Sequence, residues 1–221
     1  MSATSLSRFF PPSEQAAIRA AAAAAEARTG GEIVVCVVGR CDAYTGARFR
    51  AAAGAAVLAA MAAGLAHQAG EYWGGSGLLW ISLPVAAAAT AAYVLTALLP
   101  TLQRWLTSDA TLERRVSQRA AEAFLEAEVF ATRDRTGMLL FLGLLEHRVL
   151  VLADSGIKAQ VPAEEWKSIA DDLAAGIRAG RPAAALIEAI GHCGRLLEER
   201  GIARRDDDRD ELPDAPRLSD V

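Results

Sequence analysis

Histidine and cysteine are scarce in this chain, with three of each among 221 residues. Cys36, Cys41 and Cys193 form no CxxC pair and are odd in number, which fits a reducing compartment better than a disulfide framework. They read as small buried hydrophobes in a reducing compartment. His67, His147 and His192 fall in separate elements and read as locally satisfied imidazoles. The chain also lacks GxSxG, Walker-loop, HExxH and GxGxxG motifs, and its one "GGSG" lies outside any strand–helix context. Basic excess is missing too: the formal charge is -4, with no basic stripe or base-stacking aromatic set, so nucleic acid is excluded as a partner. The opening "MSATSLSRFFPPSEQ" has neither a basic n-region nor a continuous apolar h-region, so no export signal is expected there.

What is present is an apolar excess confined to one stretch. Hydrophobic residues make up 52% and charged residues 23% of the chain, yet Ala51–Ala66 and Gly77–Gln103 contain no charge at all. About 20 apolar residues cross the roughly 30 Å of a bilayer's hydrocarbon. The second run meets that length outright. The first, alanine-rich run meets it with Phe49 and the uncharged "HQAG" included. A soluble alanine-rich hairpin would show a polar face at helical spacing, and neither run has one. The alanines and glycines of the first run are expected to serve as small contact residues between two membrane helices. Pro84, inside the second run, is a kink position. The polar and aromatic island "HQAGEYWGGSG" is then the turn of the hairpin.

Orientation follows from the flanks. Arg48 and Arg50 precede the first run, Arg104, Arg114 and Arg115 follow the second, and the island carries only Glu71 and His67. By the positive-inside rule, both outer portions face the cytoplasm and the hairpin crosses the inner membrane twice. Tyr72, Trp73 and Trp80 are expected as anchors in the far headgroup layer and Trp105 in the near one.

The outer portions read as one interrupted domain. "PPSEQAAIRAAAAAAEART" predicts a helix with proline at its entrance, Ser13 at the N-cap and Glu14 in the first turn. "EIVVCVVGR", Glu32 to Arg40, predicts a strand buried on both faces. After the apolar stretch, a helix starts at Ser108 or Asp109 and carries a stripe of Val116, Ala120, Phe124 and Val129. Strands follow at about Gly137–Leu144 and Arg148–Ala153, with a tight turn at Glu146–His147. Two helices punctuated by Pro162 and Gly180, and by Pro182 and Gly201, complete the domain. The first strand is expected parallel to the Gly137 strand. The reading is an α/β/α sandwich with a small mixed sheet: residues 1–48 and 107–201 form the domain, 49–106 the transmembrane hairpin, and 202–221 a disordered acidic tail.

These segments resemble a known family. "T-x-x-E-I" at Thr29, Glu32 and Ile33, "F-x-x-x-x-x-x-x-T" leading into an apolar strand, "D-x-G-I" at Asp154, Gly156 and Ile157, a helix bearing Trp166, and a closing "G…A…AI…G" helix are similar to the TPM domain. The resemblance covers nearly all of the chain outside the apolar hairpin and the tail. It implies an α/β/α sandwich, usually membrane-tethered. Such domains are linked to photosystem repair, receptor modulation, calcium binding and, in some members, acid phosphatase activity. In the common layout the transmembrane segment follows the domain, whereas here two spans interrupt it.

For chemistry, the predicted topology brings Glu32, Asp134 and Asp154 to one end of the sheet, a candidate oxygen-ligand set for Ca²⁺ or Mg²⁺. Acidic residues also flank strands simply because turns are solvated. Asp42 and Glu146 form a second candidate at the opposite end. Glu164, Glu165, Asp171 and Asp172 read as a solvated helix face. Two functions are therefore expected from the sequence. One is a membrane-tethered interaction or assembly and maintenance module whose partners are the bilayer and another membrane protein. The other is a metal-dependent phosphatase with the cation at the Glu32, Asp134 and Asp154 end and Arg133 and Arg135 neutralising phosphate. The absence of catalytic machinery favours the first.

Overall fold

A computed structural model describes residues 10–69, 77–205, 211–213 and 215–219. Continuous β-branched and leucine-rich runs make the centre of the α/β unit: β1 (Glu32–Val38) and β2 (Gly137–Gly143) are buried along their whole length. They pair in parallel, from Glu32 opposite Gly137 to Val38 opposite Gly143. β3 (Arg148–Ala153) returns antiparallel to β2. β4 (Arg217–Ser219) runs parallel to β1 on its other side, opposite Cys36–Val38. The order is β3-β2-β1-β4, a mixed sheet of four strands.

Because successive strand side chains alternate between faces, helices find an apolar surface on both sides. Ile33, Val35, Val37, Met138, Leu140 and Leu142 share one core with α1 (Pro12–Glu26) and with two helices that follow β3. Val34, Cys36, Val38, Leu139 and Phe141 share the other with Val116, Ala120, Ala123 and Ala127. Val116, Ala120 and Ala123 are a stripe of the helix Asp109–Glu126, and Ala127 follows its last residue.

The chain divides into two units, Met1–Cys41 with Glu113–Val221, and Asp42–Leu112. The second unit contains α2 (Thr45–Ala69), α3 (Gly77–Leu98) and α4 (Pro100–Trp105). α5 (Asp109–Glu126) begins where the carbonyl of Ser108 accepts the Thr111 and Leu112 N–H groups. α6 (Ser155–Lys158) is a single turn, and α7 (Ala163–Arg178) and α8 (Pro182–Glu199) are the two helices of the first core. Gly180 and Gly201 have φ of 76°, the left-handed conformation that ends a helix most readily without a Cβ.

Four expectations change. The cap of α1 is Pro11 rather than Ser13, because Pro12 already supplies the fixed φ of the first helical residue. The second apolar run does not continue unbroken to Gln103: Leu99, preceding Pro100, is extended (φ -106°, ψ 98°), and a separate short helix starts after it. Val129 leaves α5, since Glu128 turns left-handed and Val129–Ala131 forms a 3₁₀ turn. The segment 202–221 is structured in its described parts: Ala203 bridges to Thr29, Leu212 is buried in the second core, and Arg217–Ser219 is the fourth strand. An acidic composition did not prevent this, because β1 leaves an edge that three residues can complete.

Candidate functional site

Two helices of the second unit are long and apolar enough to cross a membrane, Thr45–Gln68 with 24 residues and Leu78–Leu98 with 21. At 1.5 Å per residue they extend about 36 Å and about 32 Å. None of the most apolar stretch of either is buried. They pack on each other, with the rings of Phe49 and Tyr93 5.4 Å apart. Leu58, Met61, Leu65, Leu78, Leu83 and Leu98 are all more than half exposed, an apolar surface far beyond that of an ordinary soluble domain. Pro84 stays within α3 without ending it. Trp80 and Trp105 are exposed, as interfacial anchors require, while Tyr72 and Trp73 lie outside the described residues.

Polar side chains collect at one end of this pair. Thr96, Gln103 and Thr107 are buried, and each returns a hydrogen bond to the chain: Thr96 to the Ala92 carbonyl, Gln103 to that of Ala97 and Thr107 to that of Gln103. At the same end the Arg50 guanidinium donates to the Leu106 carbonyl at 2.8 Å.

In the α/β unit, the pairing of β1, β2 and β3 does bring Glu32, Asp134 and Asp154 toward one end of the sheet. Glu32 stands opposite Gly137, and the Asp154 N–H donates to the Gly137 carbonyl at 2.9 Å. Their carboxylates, however, are engaged separately. Asp154 caps α6 through the Ser155 N–H at 2.6 Å and receives the Arg135 guanidinium as a fork, Nε at 2.7 Å and Nη2 at 3.1 Å. Arg135 also lies over the Phe130 ring. Asp134 is exposed and pairs with Arg205 at 2.7 Å. Glu32 is buried and accepts the Glu211 N–H at 3.4 Å. No group of three or more His, Cys, Asp or Glu side chains placed to hold a metal ion occurs among the described residues. The three-carboxylate cation site is therefore not assembled. Arg135 and Arg205 neutralise Asp154 and Asp134 there.

At the opposite end, Glu146 is fully buried and accepts the Cys41 N–H at 2.8 Å. Asp42, its expected companion, uses its carboxylate on the Ala43 N–H at 2.7 Å. Burial pushes the Cys41 thiol well above its ordinary range, and the neighbouring Glu146 raises it further. Burial likewise raises Cys36, and pushes Cys193 up to about 12. All three thiols are free and stay protonated at neutral pH, so none is an activated nucleophile. On α7, Asp171 pairs with Lys167 at 2.6 Å and Glu165 with Arg200 at 2.8 Å, both at the surface. His192 lines a cavity of about 620 Å³ between α7 and α8, together with Asp172, Glu188 and Arg195.

Several residues that hold this unit together carried no signal in the sequence: Glu26, whose carboxylate accepts the Ile33 N–H at 2.8 Å, and Arg205 and Glu211 from the acidic segment.

No protein-family model matches the chain, and no curated protein matches it. Among solved structures, it is similar in fold to the NMR structure of the BA42 protein from the psychrophilic bacterium Bizionia argentinensis. The TM-score is 0.56 at 17% identity, over 95% of both chains, a likeness of fold alone.

Proposed function

We propose that the chain is a membrane-tethered interaction or assembly and maintenance module, a TPM-like α/β domain interrupted by a transmembrane helical hairpin and acting on another membrane protein. The observation that carries this reading is the pair of long apolar helices whose most apolar stretches contain no buried residue. Water is a poor solvent for that surface, and hydrocarbon a good one. The arginines flanking the pair favour both outer portions on the cytoplasmic side of the inner membrane.

The α/β unit supports a binding role better than a catalytic one. Its thiols are protonated, and its sheet-end carboxylates are tied to arginines and backbone N–H groups. No observation favours the phosphatase alternative, and the reading includes no Ca²⁺ or Mg²⁺. Chemical crosslinking of native membranes followed by purification of the tagged full chain tests it. A defined membrane protein should be recovered in near-stoichiometric amount. Recovery of the chain alone in every mild detergent would refute the module. For orientation, a cysteine placed at Ser76 should react with an impermeant maleimide in intact spheroplasts; labelling only after lysis reverses the topology.

A further inference from the structure

We propose that β3 pairs antiparallel with β3 of a second copy of this chain, about a twofold axis at Val151, joining the two four-stranded sheets into one. This contact lies in the α/β unit alone and does not depend on the membrane reading.

β3 is an end strand of the sheet. The Asp154 N–H donates to the Gly137 carbonyl, so in alternation the residues that exchange hydrogen bonds with β2 are Leu152, Leu150 and Arg148. Val149, Val151 and Ala153 lie between them and turn their N–H and C=O groups outward, where no backbone partner lies among the described residues. Native sheets blunt such an edge with prolines, bulges or charge. β3 has no proline, pairs with β2 one residue to one, and carries Arg148 as its only charge. α7 covers one face of β3, yet Val149 and Val151 stay partly exposed beside it, as do Leu150 and Leu152 on the other face.

The order of residues along the edge identifies the occupant as a second copy. From Arg148 to Asp154, "RVLVLAD" is apolar and near-palindromic about Val151, with opposite charges at its ends. Antiparallel pairing about Val151 sets Val151 opposite Val151, Val149 opposite Ala153 and Leu150 opposite Leu152 of the second copy. In that register the outward N–H and C=O groups of Val149, Val151 and Ala153 meet their counterparts, and each face of one sheet continues into the same face of the other. Arg148 stands opposite Asp154 of the second copy. Both also have partners in their own chain, so the pairing acts through the sign of the charges. A parallel, in-register pairing would set like charges side by side.

The test uses the full chain in mild detergent, its mass followed by sedimentation as concentration is varied. The parent should pass from monomer to dimer between about 1 and 100 µM, as fits a small interface. Val149→Pro removes an N–H that β3 does not use on β2, so the α/β unit should still fold, checked by protection of Cys193, while the dimer weakens about tenfold or more. Two cysteine variants decide independently of that one. In an antiparallel bonded pair the Val151 Cα atoms lie about 5.5 Å apart, within disulfide range, so oxidation of Val151→Cys should link two copies. Val149→Cys faces Ala153, with its own counterpart about 14 Å away, and should stay unlinked. The parent, whose thiols are buried or half-buried, is the blank. A parent that stays monomeric throughout, or Val151→Cys linking no faster than Val149→Cys, overturns the pairing and leaves the edge to a segment of another protein. A dimer that survives Val149→Pro and links at neither cysteine also overturns it, and assigns association to the apolar helices.

Discussion

Replacing Leu212 with alanine should destabilise the α/β unit by about 2 to 3 kcal/mol. Leu212 lies in a segment whose acidic, proline-containing composition resembles a solvated tail, yet it is 7% exposed and packs in the core formed by Val34, Val116 and Phe141. The residues around it are tied down as well: the Arg133 N–H donates to Glu211 at 3.0 Å, and the Gly39 N–H donates to the Ser219 carbonyl at 2.9 Å. Leucine to alanine removes the equivalent of about three carbon groups at roughly 0.8 kcal/mol each. The added cavity term is small, because a strap at the sheet edge can settle inward. The assay is mass-spectrometric labelling of Cys193 in the detergent-solubilised full chain across a urea series. Cys193 is completely buried in the α/β unit and reports its opening, independently of the apolar helices. At about 2 kcal/mol per molar urea, the labelling midpoint should fall by roughly 1 M. Arg217→Ala, at an exposed position, should shift it by less than about 0.25 M. Equal small shifts in both variants would mean that the segment contributes nothing to the fold.

Gly137→Ala should cost about 3 kcal/mol or more, because its Cβ would collide with the Val129 carbonyl, whereas Gly54→Ala, with open space around it, should leave the urea midpoint of the α/β unit unchanged. Asp154→Ala should cost about 1 to 2 kcal/mol in the same assay, through loss of the α6 cap and a half-exposed arginine pair; Asp154→Asn should recover part of that by keeping the cap. Cys193 gives a pH signature. Its folded-state pKa of about 12 lies above the ordinary thiol value of 9.0, so the folded chain retains a proton that the unfolded chain releases. That contribution is complete below pH 9 and shrinks as pH rises from 9 toward 12, at about 1.4 kcal/mol per pH unit. Equilibrium unfolding read by circular dichroism should therefore show a shallower alkaline loss in Cys193→Ala than in the parent, and parallel losses would contradict the assignment.

Much of the α/β architecture was legible because burial on both faces writes β1 and β2 as unbroken apolar runs, and because Pro162, Gly180, Pro182 and Gly201 mark the ends of α7 and α8 in fixed conformations. β4 was not legible. It contributes three residues with Leu218 as their one large apolar side chain, and its partner β1 lies at the other end of the chain. The break at Leu99 did have a signal, the proline after it, but the charge-free composition of the run outweighed it. The sheet-end carboxylates show where sequence reasoning stops. Strand pairing placed Glu32, Asp134 and Asp154 correctly at one end, but which arginine reaches each carboxylate depends on Arg135 and Arg205, separated by 70 residues of fold. Glu146 read as a turn residue and, with Asp42, as a second candidate pair, whereas the turn folds its carboxylate inward onto the Cys41 N–H and Asp42 bonds the Ala43 N–H instead.

The central claim is that hydrocarbon is the solvent for Thr45–Gln68 and Leu78–Leu98. Alkaline carbonate extraction of membranes from cells producing the full chain, followed by ultracentrifugation, addresses it directly. The chain should remain in the pellet and enter solution only with detergent. A detergent-free supernatant holding it as a compact monomer would contradict the account.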